Sequence, residues 1–269
     1  MAIPKADWLP QAKRCALGQT RRVRHGSEKS EAMTVGNEGD RYWSYCQRCK
    51  TGGVEMKSHV VLGSRAPKES TEMTLPADMV LVSAAEPHIK TGVGTFLAFK
   101  SMDLLYLPSS TYFSESRKRL IISTGGAYMG RDTTGASPQK WLTYNKQTHL
   151  DVSVGVSNHA VLTEDTFSAY KVAHAVQSVY GAPSVFCTLG TKISPALMLR
   201  LIRHYSKVLS YYDGDDAGHR GAANNHRSLT ALGISVAQWP TEQCAPQGLD
   251  PKDQTIHQIR DHVLRAFKD

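Results

Sequence analysis

Long apolar runs are missing from this sequence. No stretch approaches the roughly 20 residues that a bilayer-spanning helix needs. The start, MAIPKADWLPQAKRC, also lacks the apolar centre of a secretory signal peptide. We therefore expect a cytoplasmic protein with no membrane partner.

Cysteines are few, and their number is odd. Five cysteines in a chain without a secretory signal argue against a disulfide framework. Two of them, Cys46 and Cys49, form a C-x2-C pair. Metal binding is the better explanation for this pair.

Acidic residues are in the minority. Asp and Glu number 24 against 32 Lys and Arg, and the sequence pI is about 9.2, so a polyanionic partner such as nucleic acid is favoured. The alternative is a basic protein whose charge serves only solubility. The hydrophobic share of 41% is that of a folded globular protein rather than a disordered chain.

The composition and hydrophobic pattern of the sequence change twice along the chain, which predicts three units. Residues 1–60 are polar and basic with short strand-like bursts, and a linker or extended edge follows at 62–79. Residues 61–150 contain the short apolar runs MVLVS, GTFLAF, LLYLP and RLIIS, which predict a mainly β or α+β unit. Residues 151–269 alternate apolar strands with longer helical patterns, which predicts a parallel sheet flanked by helices.

Acidic residues follow two of the predicted strands in the last unit. Glu164 follows the first strand, and Asp213, Asp215 and Asp216 follow the third. The carboxyl ends of strands in an open α/β sheet meet at one edge, where ligands bind. An Asp-Gly-Asp segment places both carboxylates on one face, which suits Mg²⁺ and phosphoryl or nucleotidyl transfer. The alternative for D-G-D-D taken alone is a solvated β-turn.

The order of these motifs resembles the Toprim domain of bacterial and phage DNA primases. The resemblance rests on VLTED at 161–165, CTLGT at 187–191, YYDGDDAGHRGA at 211–222 and GLDPKD at 248–253. It implies that Glu164, Asp213 and Asp215 are catalytic and bind Mg²⁺ or Mn²⁺, with Asp250 as a further metal-site acid. The family often has a second acid two residues after that position, where this chain has Lys252. Asp253 is an alternative acid nearby.

The C-x2-C pair lies in a segment with other metal-ligand types. Together with His25, Cys46 and Cys49 would supply three of the four tetrahedral ligands of structural Zn²⁺, and Cys15 is the natural candidate for the fourth. The segment from His25 to Gly53 resembles the zinc ribbon of primases, in which a cysteine lies close to the histidine. Here Arg22 and Ser27 occupy the corresponding positions. The alternatives are a contribution from His59 or a degenerate ribbon without zinc.

A basic series precedes the predicted Toprim domain. It comprises Ser-Arg-Lys-Arg at 116–119, a Gly-rich turn with Arg131, and Pro-Gln-Lys-Trp-Leu at 138–142. The series resembles the basic subdomain of primases, and this implies that Arg117, Arg119, Arg131 and Lys140 face the template or the nucleotide. A solvated charged surface is the alternative.

Taken together, the resemblance implies a primase that makes short RNA primers on single-stranded DNA from ribonucleoside triphosphates, in a bacterium or a phage-infected cell. A replicative helicase would act in trans, since the sequence ends after one more helical pattern. The fold class expected is α/β: a Toprim parallel sheet, preceded by an α+β basic subdomain and a small zinc-ribbon-like β module. The alternatives are a Toprim nuclease and a DNA-binding accessory factor with a vestigial metal site.

Overall fold

The computed structural model describes residues 3–26, 30–58, 74–137, 139–145, 147–237, 245–246 and 248–268. The chain divides into two compact units, Met1–Thr71 and Glu72–Asp269. The predicted boundary near residue 60 falls within 59–73, outside the described residues. No helix in the described ranges is both long and apolar enough to span a membrane.

The first unit is a four-stranded antiparallel sheet with one helix. The helix is α1 (Lys5–Lys13), and the strands, in sheet order, are β1 (Thr20–Val23), β2 (Met33–Asn37), β3 (Arg41–Cys46) and β4 (Gly52–Met56). Trp8 and Ala12 of α1 are fully buried against Met33 and Val35 of β2. The strand-like bursts in the sequence therefore correspond to β2 and β3.

The first sheet of the second unit is antiparallel and five-stranded. Its strands, in sheet order, are β5 (Met79–Leu81), β6 (Thr111–Ser114), β7 (Arg119–Thr124), β8 (Ala127–Asp132) and β9 (Trp141–Thr143). The run GTFLAF is not a strand, because it forms the end of helix α2 (Pro87–Phe99). Val93 and Leu97 of this helix are buried at a spacing of four, the period of a helix face. LLYLP likewise contains a short 3-10 turn, Leu104–Tyr106.

The second sheet of this unit is mixed. It runs in the order β10 (Leu150–Ser153), β12 (Ser184–Cys187), β11 (His159–Thr163), β13 (Lys207–Ser210) and β14 (Ser235–Val236). All neighbours are parallel except β10, which is antiparallel to β12. Helices α3 (Thr166–Val176), α4 (Pro195–His204) and α5 (Asp216–Ala231) connect the parallel strands, and α6 (Ile256–Phe267) closes the chain. The predicted alternation of strands and helices is present.

Helix α3 joins the two sheets of the second unit. Ten of its eleven residues are buried. Phe167 and Tyr170 pack into the core that holds Leu120 and Ile122 of β7, whereas Ala169 and Val172 pack into the core that holds Val161 of β11. Because α3 contributes side chains to both cores, it packs between the two sheets. The antiparallel sheet is thereby held next to the beginning of α3.

Candidate functional site

Strand β11 ends in two acidic residues whose backbone is fixed. The Asp165 carboxylate accepts hydrogen bonds from the amides of Phe167, at 2.8 Å, and Ser168, at 3.3 Å, and so caps α3. The Glu164 carbonyl accepts from the amide of Gly190 at 3.0 Å. The segment CTLGT thus holds the end of the central strand in place.

The D-G-D segment leaves β13 directly beside Glu164. The amide of Asp213 donates to Oε1 of Glu164 at 3.3 Å. Gly218 in the first turn of α5 lies so close that an added Cβ would overlap the Asp213 carbonyl and lie 2.8 Å from Oε1 of Glu164. Asp215 caps α5 by accepting from the amides of Ala217 and Gly218 at 2.9 and 2.8 Å. The glycine of the helix therefore permits the approach of the two strand ends.

The GLDPKD segment is packed onto this turn. The amide of Gly214 donates to the Leu249 carbonyl at 2.8 Å. Asp250 and Asp253 form a capping box around the 3-10 turn Pro251–Asp253, in which Oδ2 of Asp253 accepts from the Asp250 amide at 3.0 Å. The Asp253 carboxylate is therefore bonded to the backbone of its own turn. The Asp250 carboxylate lies near those of Asp165 and Asp213, which follow β11 and β13.

Three carboxylates meet where these segments converge. The ligand oxygens of Asp165, Asp213 and Asp250 all lie within 4.8 Å of one another. We call these three residues the acid group. It differs from the predicted set, because Asp165 belongs to it and had not been proposed, whereas Glu164 and Asp215 lie beside it. An aspartate between a strand and a helix is typical of a helix cap, so the sequence alone does not single out Asp165 as a candidate metal ligand.

Burial and mutual repulsion raise the pKa of two carboxyls at this edge of the sheet, those of Glu164 and Asp213. Burial is the main cause that raises the pKa of Glu164 to about 7; the charges of Asp215 and Asp165 act in the same direction, and the hydrogen bond from the Asp213 amide opposes them. Burial likewise raises the pKa of Asp213 to about 7, with the charges of Asp165 and Glu164 acting in the same direction and Lys252 opposing them. A bound cation would relieve this repulsion.

The acid group has the chemistry that Mg²⁺ or Mn²⁺ requires. Its donors are carboxylate oxygens, which these hard cations prefer. Oδ1 of Asp213 is buried and has no hydrogen-bond partner among the described residues. A buried carboxylate oxygen without a donor is costly unless a cation satisfies it. Asp165, Asp213 and Asp250 could therefore hold a divalent ion.

Lys252 lies within reach of the acid group. Its ammonium contacts Oδ2 of Asp250 and lies 3.8 Å from Oδ2 of Asp165. Its carbonyl accepts a 2.6 Å hydrogen bond from the ammonium of Lys171, a residue of α3 that is only 6% exposed. The backbone at Lys252 is thereby tied to the helix that Asp165 caps.

The basic residues fall into two groups. Arg119 is only 6% exposed, and its guanidinium donates to the Gly130 carbonyl at 3.2 Å and the Gln139 carbonyl at 2.9 Å. The prediction that Arg119 faces the template is therefore not supported, because the side chain is buried and already bonded to the backbone. Arg117 and Lys140 are exposed.

Arg131 of β8 lies close enough to Asp165 for their charges to interact. Its guanidinium lies 5.2 Å from the centre of the Trp141 ring. Burial lowers the pKa of Arg131, and the charge of Asp165 counteracts this. A cation from the antiparallel sheet is thus electrostatically coupled to the carboxylates of the mixed sheet.

A second cluster of metal-ligand types lies in the first unit. The ligand atoms of His25, Cys46 and Cys49 lie within 4.8 Å of one another. The Cys49 thiol is 3.5 Å from Nδ1 of His25 and 2.8 Å from the Thr51 hydroxyl. That hydroxyl is the main cause that lowers the pKa of Cys49 to about 7. A low thiol pKa favours the thiolate that a metal binds.

Cys15 does not belong to this cluster. It is 9% exposed, packs in the core with Trp8, and has its sulfur 3.6 Å from the Gln11 carbonyl. The predicted fourth ligand is therefore corrected: among the described residues, the ligand atoms of His25, Cys46 and Cys49 come together, and that of Cys15 does not. His59 and Ser27 lie outside the described residues.

No protein-family model and no curated protein matches this sequence. Among solved structures, it is similar to the Aquifex aeolicus primase comprising zinc-binding and RNA polymerase domains, at 12% identity over 92% of this chain and 77% of that one, with a TM-score of 0.48. A DNA primase domain from Pseudomonas aeruginosa matches at 19% identity over 57% of this chain and 53% of that one, with a TM-score of 0.45. The primase fragment of the bacteriophage T7 primase-helicase protein matches at 12% identity over 85% of this chain and 94% of that one, with a TM-score of 0.39.

The matched part of this chain thus spans about half the length of the Pseudomonas domain. These neighbours are bacterial and phage primase domains, at low sequence identity.

Proposed function

We propose that this chain is a DNA primase, a DNA-directed RNA polymerase that makes short RNA primers on single-stranded DNA by metal-dependent nucleotidyl transfer. The observation that carries the proposal is the convergence of Asp165, Asp213 and Asp250 within 4.8 Å at the carboxyl ends of parallel strands. This is the edge of an α/β sheet where ligands bind. The sequence motifs that surround these residues resemble those of Toprim primases.

Nucleotidyl transfer needs charge stabilisation more than covalent chemistry from the protein. The acid group would hold Mg²⁺ or Mn²⁺, which supplies Lewis-acid stabilisation of the transferring phosphoryl group and its leaving pyrophosphate. Glu164 lies beside the group with a pKa of about 7. It is therefore suited to accept the proton of the attacking 3′-hydroxyl near neutral pH.

Cations opposite the acid group complete the site. Arg131 would neutralise triphosphate charge, and the exposed side chains of Arg117 and Lys140 would contact the template backbone. A nuclease needs the acids but not an adjoining basic sheet. The coupling of Arg131 to Asp165 within one compact unit favours synthesis over cleavage.

The remaining roles follow from the resemblance. We propose that the His25, Cys46 and Cys49 cluster holds structural Zn²⁺ and that the first unit contributes to template recognition. Ribonucleoside triphosphates would be the substrates, and a replicative helicase the partner in trans. A cytoplasmic site of action fits these roles.

The test is incubation with single-stranded template, the four ribonucleoside triphosphates and Mg²⁺ or Mn²⁺, followed by separation of labelled products on a denaturing gel. Oligoribonucleotides are expected, and they should vanish with Asp213→Asn but persist with Asp216→Asn, an exposed residue of the same segment. A shortened template without new oligoribonucleotides would instead identify a nuclease. If replacement of Asp213 left every biological function intact, the protein would instead be an accessory DNA-binding factor.

A further inference from the structure

Lys252 has two carboxylates of the acid group as its neighbours. Its ammonium contacts Asp250 and lies 3.8 Å from Asp165. Its side chain is 13% exposed, so this arrangement is not the solvated ion pair of a protein surface. An ammonium so enclosed by acids offsets one of their charges.

Several contacts keep Lys252 in this position. The capping box of Asp250 and Asp253 fixes the turn on both sides of it. The Lys171 ammonium donates hydrogen bonds to the Lys252 carbonyl and to the Ser101 carbonyl, each at 2.6 Å. Because Lys171 belongs to α3, the same helix carries Asp165 at its start and the support of Lys252 one turn and a half later. The placement of the ammonium is thus part of the folded structure.

The Asp253 carboxylate cannot take over the role of a further metal ligand in this arrangement. It accepts from the Asp250 amide at 3.0 Å and thereby closes the capping box. The turn therefore presents one carboxylate, from Asp250, and one ammonium, from Lys252, to the acid group. When all four groups are ionised, the three carboxylates of the acid group and the Lys252 ammonium carry a net charge of about −2, which one divalent ion balances. Glu164 and Asp215 lie beside this group rather than within it.

We propose that the Lys252 ammonium is a resident cation of the acid group that takes the place of one divalent ion, so that Asp165, Asp213 and Asp250 bind a single Mg²⁺ or Mn²⁺. This inference rests on the metal-binding part of the proposed function. Lys252 acts as a positioning residue that sets the number of ions and their affinity. It shares Asp165 and Asp250 with the bound ion and competes for them.

The direct test is a titration with Mn²⁺, followed by electron paramagnetic resonance of the free ion. Binding that survives Asp213→Asn belongs to other parts of the chain and is subtracted. A unit charge about 4 Å from a bound ion changes its affinity by well over tenfold at the effective dielectric constant of a protein, although partial exposure weakens this effect. We expect one ion in the wild type, and at least about tenfold tighter binding with Lys252→Gln.

Two variants serve as controls. Lys252→Arg keeps the positive charge and should bind Mn²⁺ as the wild type does. Lys90→Gln changes an exposed lysine of α2 and should also leave the affinity unchanged. Circular dichroism shows whether each variant is folded; if Lys252→Gln is not, the wild-type stoichiometry still decides between one ion and two.

Each result has a definite meaning. Two ions in the wild type, or an affinity that Lys252→Gln leaves unchanged, would overturn the proposal while leaving the metal-dependent primase intact. Absence of binding in both the wild type and Lys252→Gln would overturn it together with the metal site of the proposed function. Binding gained only with Lys252→Gln would overturn the claim of one bound ion in the wild type, because the ammonium would then exclude the ion altogether.

Discussion

The amide of Asp213 donates a 3.3 Å hydrogen bond to the carboxylate of Glu164. This contact joins the ends of β11 and β13, which are adjacent parallel strands. Both carboxyls are partly buried, and burial is the main cause that raises the pKa of each to about 7, although the hydrogen bond itself lowers that of Glu164. The site is therefore strained electrostatically when no cation is bound.

A dependence of stability on pH follows. The ordinary pKa values are 4.5 for Glu164 and 3.8 for Asp213, so the unfolded chain releases protons that the folded chain keeps until about pH 7. The free energy of unfolding should fall as pH rises through this window and become constant above it. In thermal melts without added Mg²⁺ or Mn²⁺, the fall between about pH 5 and about pH 8 should be smaller for Asp213→Asn.

Asp216→Asn is the matched control for that comparison, because Asp216 is exposed. It should show the pH dependence of the wild type. Equal slopes for Asp213→Asn and the wild type would contradict the raised pKa of Asp213.

Gly218→Ala should damage the site more than the fold. The new methyl group would overlap the Asp213 carbonyl and approach Oε1 of Glu164 to 2.8 Å. We expect a loss of about 1–3 kcal/mol in the free energy of unfolding from the overpacking, and a loss of primer synthesis of at least about tenfold through displacement of the strand ends. Denaturant titration and product quantification measure the two effects.

Gly92→Ala provides the comparison, since a Cβ at Gly92 of α2 meets nothing within 4 Å. It should gain up to about 1 kcal/mol of stability from the higher helix propensity of alanine and keep full activity. If Gly218→Ala is equally active, the close approach at α5 is not required.

Arg119 and Arg117 should respond in opposite ways to replacement by alanine. Arg119→Ala removes a buried guanidinium from the Gly130 and Gln139 carbonyls, at a cost on the order of 2–3 kcal/mol. Arg117→Ala changes an exposed side chain, so stability should stay within about 0.5 kcal/mol, whereas binding to single-stranded DNA should weaken and its log–log salt slope should shrink by about 0.7.

Fluorescence anisotropy at several salt concentrations, together with denaturant titration, distinguishes these effects. Unchanged DNA binding by Arg117→Ala would remove this residue from the template surface. Unchanged stability of Arg119→Ala would contradict its structural role.

Zinc content separates the cysteines of the first unit. Elemental analysis of the purified protein should find zinc, which Cys49→Ser should abolish because Cys49 belongs to the His25 and Cys46 cluster. Cys15→Ser should retain it, since the Cys15 thiol lies against the Gln11 carbonyl in the core. Zinc-free wild-type protein would contradict the proposed zinc site. Loss of zinc in Cys15→Ser would show that Cys15 is a ligand after all.

The sequence predicts those features that depend on periodicity. Helix α4, Pro195–His204, belongs to the alternation of strands and helices that the sequence predicts, and proline and a capping serine mark its start. The strand ends that carry Glu164 and Asp213 are also found as predicted. The sequence left the structure of GTFLAF open between strand and helix, because a short apolar run has the same composition in a strand and in a buried helix face.

Features that depend on tertiary contacts were not predictable. The apolar run RLIIS begins at Arg119, but no pattern in the sequence shows that the Arg119 side chain turns inward while Arg117 stays exposed. Asp165 looks like a helix cap and Lys252 like a surface lysine. Only the folding of the GLDPKD segment onto the D-G-D turn brings both to the acid group.

The central claim is template-directed RNA synthesis, and its most direct test uses templates of defined base composition. With labelled ribonucleoside triphosphates and Mn²⁺ or Mg²⁺, the label in the product should follow the complement of the template, and Asp213→Asn should abolish it. Product whose composition is independent of the template, or template cleavage without any product, would contradict the assignment of this chain as a primase.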